Sequence, residues 1–236
     1  MNAVIAGFAV SVNNICAGTR RCASIWPMRI GIITDTHLPN IVRDLGDLGP
    51  EVAQFFSTVD LILHSGDIVG PTVLDWLEQF APVVAALGNN DVLDDRRVEP
   101  VQILDIAGWR IGMVHSLVPQ SRSMAELTAK HFPTPVDIMV SGHTHFELLE
   151  YREGVLHLNS GSAVFPHHKE IRLGTVGLLE LTPSRVHAEI VLLGQTPGRP
   201  NPGTPRTLQV QDGQLVMPEE DPGGDGVDQS EPWTVS

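Results

Sequence analysis

Short runs of aliphatic and β-branched residues recur along the middle of the chain, bounded by glycine, proline or polar residues. This pattern is typical of β-strands, and it predicts strands over residues 29–34, 61–64, 83–87, 101–106, 110–115 and 137–141. Apolar residues at helical spacing lie between the first three runs and predict helices over residues 50–58 and 72–80. The alternation of strands and helices indicates βαβ units in a largely parallel sheet.

The second half of the chain is richer in strands. A turn at residues 107–109 joins two of the predicted strands, and residues 147–193 are predicted to form further strands with turns at Glu153-Gly154 and Pro183-Ser184. Two sheets packed face to face with helices outside would accommodate both halves. We therefore predict an α/β fold whose functional site gathers at the carboxyl ends of the strands.

The two ends of the chain differ from this body. A clear strand pattern starts directly after Met28, so residues 1–27 are predicted to be a disordered or spurious extension. Residues 196–236 are acidic and rich in proline and glycine, which predicts a disordered tail. The folded domain is accordingly predicted to span residues 28–195.

Composition narrows the range of functions. The 236 residues include 15 basic and 28 acidic side chains, a formal net charge of −13, so we expect no nucleic-acid binding. The longest apolar stretch near the start, residues 3–12, is about half the roughly 20 residues that a membrane-spanning helix needs, and we expect no membrane partner. Both cysteines, Cys16 and Cys22, precede the predicted domain, which favours a reducing, cytoplasmic location.

Potential metal ligands follow five of the predicted strands. Each motif alone carries little weight, but their shared place at strand ends predicts one convergent site. The donor set has two carboxylates, four imidazoles, one amide oxygen and no thiolate: Asp35, His37, Asp67, Asn89, His115, His143 and His145.

This mixture of nitrogen and oxygen donors suits Mn, Fe, Zn, Co or Ni better than Ca or Mg. One such ion takes about four to six ligands, so seven donors favour two adjacent divalent ions that share a carboxylate. We expect manganese at these positions, with iron, zinc, nickel or cobalt as alternatives.

The order of these motifs resembles that of the calcineurin-like metallophosphoesterases. Gly88-Asn89-Asn90-Asp91 and Asn159-Ser160-Gly161-Ser162 are similar, more narrowly, to the small phosphodiesterases of the YfcE type. The resemblance implies a four-layer α/β/β/α sandwich of two mixed sheets. It also implies one ion held by Asp35, His37, Asp67 and His145, and a second held by Asp67, Asn89, His115 and His143.

The resemblance implies a metal-dependent phosphoric ester hydrolase. Asn90 stands where larger members of the superfamily have a histidine that protonates the leaving group, which favours phosphodiesters or activated esters over substrates with poor leaving groups. We expect hydrolysis of a small phosphodiester by a hydroxide held between the two ions, with no side-chain nucleophile. The alternative is a non-catalytic protein-interaction module on the same fold, like the retromer subunit. Homologues often pair, so a homodimer stays open.

Two residues are candidates for supporting positions next to the donors. Asp91 is predicted to hydrogen-bond a ligand histidine, with a turn-stabilising role as the alternative. His64 could orient a ligand or cap its strand, and the sequence favours neither. His167 and His168 follow Phe165-Pro166 in an apparent loop and are interpreted as surface residues.

Overall fold

The computed structural model describes residues 27–216. Residues 1–26 of the predicted extension and residues 217–236 of the predicted tail lie outside the described residues. Within residues 27–216 no helix is long and apolar enough to cross a membrane. The strands are β1 Met28–Ile33, β2 Leu61–His64, β3 Val83–Ala86, β4 Val98–Glu99, β5 Gln102–Ile106, β6 Trp109–Met113, β7 Ile138–Ser141, β8 Glu147–Arg152, β9 Val155–Ser160, β10 Thr175–Leu181, β11 Arg185–Leu192, β12 Arg206–Gln211 and β13 Gln214–Val216.

The first sheet has eight strands in the order β13-β12-β11-β10-β1-β2-β3-β4. Strands β1 to β4 are parallel to their neighbours in this group, and β10 to β13 pair antiparallel. The predicted parallel βαβ units are therefore confirmed for β1, β2 and β3. Strand β2 is buried along its whole length, as expected for a parallel strand covered on both faces.

The second sheet has five strands in the order β5-β6-β7-β9-β8. Its three central strands are parallel, whereas β5 and β8 run antiparallel at the edges. The predicted turns at Ala107-Gly108 and Glu153-Gly154 join strands of this sheet, and the turn at Pro183-Ser184 joins β10 to β11 of the first. Both sheets are thus mixed.

Four layers result from the way the two sheets and the helices pack. The helices are α1 Gly49–Phe56, α2 Pro71–Leu77 and α3 Met124–His131, with short 3₁₀ helices at Leu45–Leu48 and Pro166–His168. One apolar core fills the space between the sheets and includes Ile30, Ile32, Leu63, Ile111, Ile138 and Leu158. A second core lies under α1 and α2, and a third lies under α3. The α/β/β/α arrangement is confirmed.

Helix α3 is absent from the helices predicted above, although the sequence contains a signal for it. The Ser123 hydroxyl accepts a hydrogen bond from the N–H of Glu126, and the Glu126 carboxylate accepts one from the N–H of Ser123. Such a capping box marks the first turn of a helix. The buried Met124 and Leu127 pack in the third core, so the helix covers the outer face of the second sheet.

The predicted tail is wrong over residues 206–216. These residues form β12 and β13, and β12 pairs with β11 so that Val210 lies opposite Val186. Both valines are buried. Residues 206–216 contain one glycine and no proline, and averaging the composition over residues 196–236 hid this short stretch, in which Leu208 and Val210 alternate with polar residues. The folded unit therefore extends past residue 195.

The segment between β3 and β4 is fixed by one buried cation. The Arg97 side chain is only 6% exposed and bonds Asp75 at 2.7 Å, Glu78 at 3.0 Å and Asp95 at 2.6 Å. We expect Arg97→Ala to lower the free energy of unfolding by about 2 kcal/mol, because the carboxylates lose a shared buried partner. Urea denaturation followed by circular dichroism measures this loss.

Its neighbour Arg96 provides the matched control. Arg96 also bonds Glu78, but its side chain is 76% exposed. Exposed ion pairs contribute about 0–1 kcal/mol, so Arg96→Ala should change the unfolding free energy much less. Equal losses in the two variants would contradict the structural role of Arg97.

Candidate metal centre

Five loops at one edge of the two sheets carry the predicted metal ligands. Three of them follow the parallel strands β1, β2 and β3, and two follow β6 and β7. Backbone hydrogen bonds join these loops: the N–H of Asp35 donates to the Gly66 carbonyl at 3.0 Å, and the N–H of Gly142 donates to the His115 carbonyl at 2.8 Å. The strand ends thus bring residues far apart in sequence into one region.

The first donor cluster consists of Asp35, His37 and His145. His145 Nε2 lies 3.0 Å from His37 Nε2 and 3.4 Å from Asp35 Oδ1. Asp67 borders the cluster, since its Oδ2 is 3.7 Å from His37 Nε2. Two donors that bind the same ion at about 2.0–2.2 Å lie roughly 3–3.5 Å apart. The spacing of this cluster therefore fits one cation.

The second cluster forms around His115. Its Nε2 lies 3.4 Å from Asp67 Oδ1 and 3.1 Å from Asn89 Oδ1. One oxygen of the Asp35 carboxylate also lies within 4.8 Å of the donor atoms of Asp67 and His115. The ring of His143 has its centroid 5.1 Å from that of His115. All four residues predicted for a second ion are thus neighbours.

The Asp35 carboxylate is fully buried and only half satisfied. Its Oδ2 accepts hydrogen bonds from the Thr34 hydroxyl and the His143 N–H, both at 2.9 Å, whereas Oδ1 has no hydrogen-bond partner. Burial raises the pKa of Asp35 to about 7. A buried anionic oxygen without a donor is costly, and a cation between Asp35, His37 and His145 would remove that cost. This orphaned oxygen fits the metal that the donor set implies.

Asp67 lies between the two clusters and is held by Asn90. The Asn90 N–H donates to Oδ1 at 2.9 Å, and its side-chain amide donates to Oδ2 at 2.6 Å. Burial alone would raise the pKa of Asp67, but hydrogen bonds from His115 and Asn90 outweigh it and hold the pKa well below its usual range. Burial likewise opposes a charge on His115, but the bond to Asp67 and the charge of Asp35 outweigh it and raise the pKa of His115.

Backbone carbonyls orient two of the imidazoles. The Nδ1–H of His115 donates to the Ser65 carbonyl, and the Nδ1–H of His145 donates to the Phe165 carbonyl, each at 2.8 Å. A carbonyl can only accept, so Nδ1 carries a proton in both rings, and Nε2 is the nitrogen that faces the donor clusters. Burial lowers the pKa of His145 to about 4. Its Nε2 is therefore available as a ligand at neutral pH.

The backbone is strained where it presents the donors. Left-handed conformations are unfavourable for residues other than glycine and persist where the surrounding structure enforces them, often at functional sites. Five of the seven predicted ligands have such positive φ angles: Asp35 (54°), His37 (49°), Asp67 (54°), His143 (71°) and His145 (58°). The sharp turns after the strands direct these side chains toward the common region.

Two glycines let the donor loops approach each other. A Cβ atom at Gly88 would overlap the backbone nitrogen and the carboxylate of Asp67, and one at Gly142 would lie 2.9 Å from Asp35 Oδ2. Because glycine has no Cβ, the backbone can pass directly beside both carboxylates. Any larger residue at these positions would displace a predicted ligand.

His64 connects the first two donor loops from behind. Its Nδ1 accepts a hydrogen bond from the Gly66 N–H at 3.2 Å, so Nε2 carries the proton and donates to the Thr36 hydroxyl at 3.1 Å. Burial lowers the pKa of His64 to about 3, which keeps the ring neutral. Thr36 lies within the first motif and Gly66 precedes Asp67, so these contacts favour a positioning role over a simple strand cap.

Asp91 makes different contacts from those predicted. Its carboxylate accepts hydrogen bonds from the Gly88 N–H at 2.7 Å and from the Val69 N–H at 2.6 Å, and it hydrogen-bonds no ligand histidine. The predicted bond to a histidine is wrong because the two carboxylate oxygens are each occupied by a backbone N–H, one of them from Val69, whose backbone is left-handed (φ 74°). Asp91 stabilises the turn and joins the second and third donor loops.

His168 is a surface residue, as interpreted from the sequence, whereas His167 is half-buried. The exposed His168 packs its ring against His145 at a centroid distance of 3.8 Å, and His167 stacks on Phe146 at 4.2 Å. Residues 159–162 offered a signal for this placement. They end β9, which lies beside β7, so the loop that follows must start at the edge where the His143–His145 loop lies.

A family model described as the calcineurin-like phosphoesterase superfamily domain matches residues 28–184. The chain therefore belongs to this family, and the resemblance seen in its motifs is confirmed. The fold and the donor clusters described above are those of a metallophosphoesterase domain with candidate metal-binding residues.

Two archaeal relatives have similar sequences. A probable metallophosphoesterase of Methanothermobacter thermautotrophicus is 30% identical over 167 residues, which are 71% of this chain and 94% of the relative. A phosphodiesterase of Methanocaldococcus jannaschii is 27% identical over 180 residues, which cover 70% of this chain and 99% of the relative.

Solved structures with the same fold include Vps29 of Entamoeba histolytica complexed with zinc. It has a TM-score of 0.60 and 22% identity, covering 78% of this chain and 99% of that chain. A conserved protein of Streptococcus pneumoniae described as a phosphoesterase has a TM-score of 0.55 and 17% identity, covering 79% and 99%. At these identities the likeness shows the fold alone.

Proposed function

We infer that this chain is a metal-dependent phosphodiesterase that holds two divalent transition metal ions and hydrolyses a small phosphodiester. Membership of the phosphoesterase family supports the class of reaction. The phosphodiesterase of Methanocaldococcus jannaschii, similar over almost its whole length, supports a diester as substrate. Manganese is the ion we expect, and iron, zinc, nickel or cobalt would suit the same donors.

The observation that carries the proposal is the position of Asp67. One of its oxygens faces His37 at 3.7 Å, and the other faces His115 at 3.4 Å. A carboxylate that lies between two clusters of nitrogen donors can be shared by two ions. A single-ion site would need only one of these clusters.

The charge and exposure of the site suit a phosphoester substrate. Asp35 and Asp67 carry two negative charges, fewer than the charge of two divalent ions, so an anionic substrate is favoured despite the net charge of −13. Two such ions would lower the pKa of a bound water and neutralise charge on the phosphoryl oxygens. Asn90 and His64 keep Asp67 and its neighbouring loop in position. Asn89 is exposed, which leaves one side of the site open to substrate.

The contacts of Asn90 support a preference for substrates with good leaving groups. Both hydrogen-bonding groups that it directs at Asp67 are donors, and an amide cannot protonate a leaving group. Substrates with good leaving groups need such protonation least. Phosphodiesters with a stable leaving anion are therefore the substrates we expect to react fastest.

A non-catalytic interaction module is the second candidate. The likeness to Vps29 favours it at the level of the fold. The complete set of seven donors weighs against it, because a module that only binds a protein has no need for an orphaned buried carboxylate oxygen beside two imidazoles.

A hydrolysis assay separates the two candidates. We expect the protein with added Mn²⁺ to hydrolyse bis-p-nitrophenyl phosphate and to prefer it over p-nitrophenyl phosphate. Treatment with EDTA should lower the rate by at least about a hundredfold, and fresh Mn²⁺ should restore it. Absence of turnover with Mn²⁺, Fe²⁺, Zn²⁺, Ni²⁺ and Co²⁺ would contradict the proposal and favour the interaction module.

A further inference from the structure

Phe146 is an exposed aromatic residue directly beside the candidate metal centre. Its side chain is 50% exposed, and within residues 27–216 it is the one aromatic residue among the exposed large apolar side chains. It follows the predicted ligand His145 in sequence. Single exposed apolar residues are common on proteins, so exposure alone does not give Phe146 a function. The way its ring is held and the residues around it set it apart.

The ring of Phe146 is fixed from one side. His167 stacks on it with a centroid distance of 4.2 Å and an interplanar angle of 13°. His167 is in turn held by Glu147, whose Oε2 lies 2.9 Å from its Nε2, and by a backbone hydrogen bond to the His145 carbonyl at 3.1 Å. One face of Phe146 is therefore covered, and the side chain remains half exposed in a fixed orientation.

A chain of ring contacts connects Phe146 to the donors. The ring of His168 has its centroid 6.5 Å from that of Phe146 and 3.8 Å from that of His145. His145 in turn contacts His37. A substrate whose phosphate reached the donors could thus place a neighbouring group over Phe146.

The exposed apolar side chains concentrate on the donor loops. Val92 is 97% exposed and follows Asn89 by three residues, and the exposed Val118 follows His115 by three residues. Together with Phe146, they make three of the five exposed large apolar residues in the described part of the chain. A site that recognised phosphate alone would have no use for such residues on three separate loops.

We propose that Phe146 stacks on a planar aromatic group that the substrate carries on its phosphate, as the base of a nucleotide would. This specificity rests on the proposed function, since it assigns a substrate class to the same site. Aromatic side chains bind bases through their π-faces, and this contact tolerates any base. A ring that is already held in place by His167 and remains half exposed provides such a contact at low entropic cost.

Two ligands that differ only in the base test the proposal. AMP and ribose 5-phosphate share the sugar and the phosphate, and isothermal titration calorimetry with the Mn²⁺-loaded protein measures both affinities. We expect AMP to bind about tenfold more tightly than ribose 5-phosphate. Phenyl phosphate distinguishes the source of the planar group: binding as tight as that of AMP indicates aromatic esters in general, and weaker binding indicates nucleotides.

Variants of Phe146 assign the preference to this residue. Phe146→Leu keeps an apolar side chain but removes the planar ring, and it should abolish the preference for AMP while leaving ribose 5-phosphate unchanged. Phe146→Tyr should retain the preference. Leu215→Ala, which removes another exposed apolar side chain on the edge strand β13, should change neither affinity.

Equal affinity of the wild-type protein for AMP and ribose 5-phosphate would overturn the proposal, as would an undiminished preference in Phe146→Leu. Loss of affinity for both ligands in Phe146→Leu would also overturn it, because the residue would then support the site rather than the base. Failure of the proposed function gives a different result: the hydrolysis assay shows no turnover, while the calorimetric comparison still reports on stacking.

Discussion

Replacing Asp67 by asparagine is expected to abolish metal-dependent phosphodiester hydrolysis. The substitution keeps the size of the side chain but removes the charge that faces both His37 and His115. Because the two oxygens serve different clusters, the loss should lower metal binding at both positions. We expect kcat/KM to fall at least about a thousandfold, with bound metal reduced in elemental analysis of the purified protein.

Asp105→Asn is the matched control for this experiment. It makes the same chemical change on an exposed residue of β5, which pairs with Arg110, and it should retain both metal content and activity. Thermal unfolding of the two variants establishes that they are folded. An Asp67→Asn protein with undiminished turnover would refute the shared carboxylate, and so would one that keeps two ions per chain.

The strands that carry the site could be predicted because each is short, apolar and buried. Residues 61–64 were predicted as a strand and form β2 with the same bounds, since a strand buried on both faces leaves an uninterrupted apolar run. The ligand motifs follow such strands directly. The order of the strands in each sheet then determines which motifs meet.

Elements held by tertiary contacts were harder to predict. Strand β12 has only Leu208 and Val210 as alternating apolar residues, and its pairing with β11 forms it. The role of His168 depends on a loop that returns to His145 across the sheet edge. Neither contact leaves a periodic pattern in the sequence, and local propensity says little about either.

The contacts of the polar residues behind the donors could not be predicted from the sequence either. Asp91 could accept from any donor within reach, and only the folded backbone shows that Val69 and Gly88 present N–H groups to it. His64 likewise has two ring nitrogens that suit many partners. Residue type limits the chemistry of such groups, but their partners depend on distances that the chain acquires by folding.

Replacing His145 by alanine is expected to remove one of the two proposed ions and to lower kcat/KM at least about a hundredfold. His145 presents its Nε2 to His37 and Asp35. Without this nitrogen, only Asp35 and His37 of the first cluster remain to bind a metal ion. Elemental analysis should find about one ion per chain. Added imidazole should restore part of the activity, because the vacated space fits the ring that was removed.

His168→Ala is an unusually close control for this variant. The two imidazole rings are in contact at a centroid distance of 3.8 Å, and both residues have left-handed backbones, with φ of 58° at His145 and 53° at His168. Alanine therefore meets a similar backbone conformation at both positions, although His145 is buried and His168 is exposed. His168→Ala should keep two ions per chain. Equal metal loss in both variants would mean that the contact between the two rings, and not the His145 donor, maintains the first metal position.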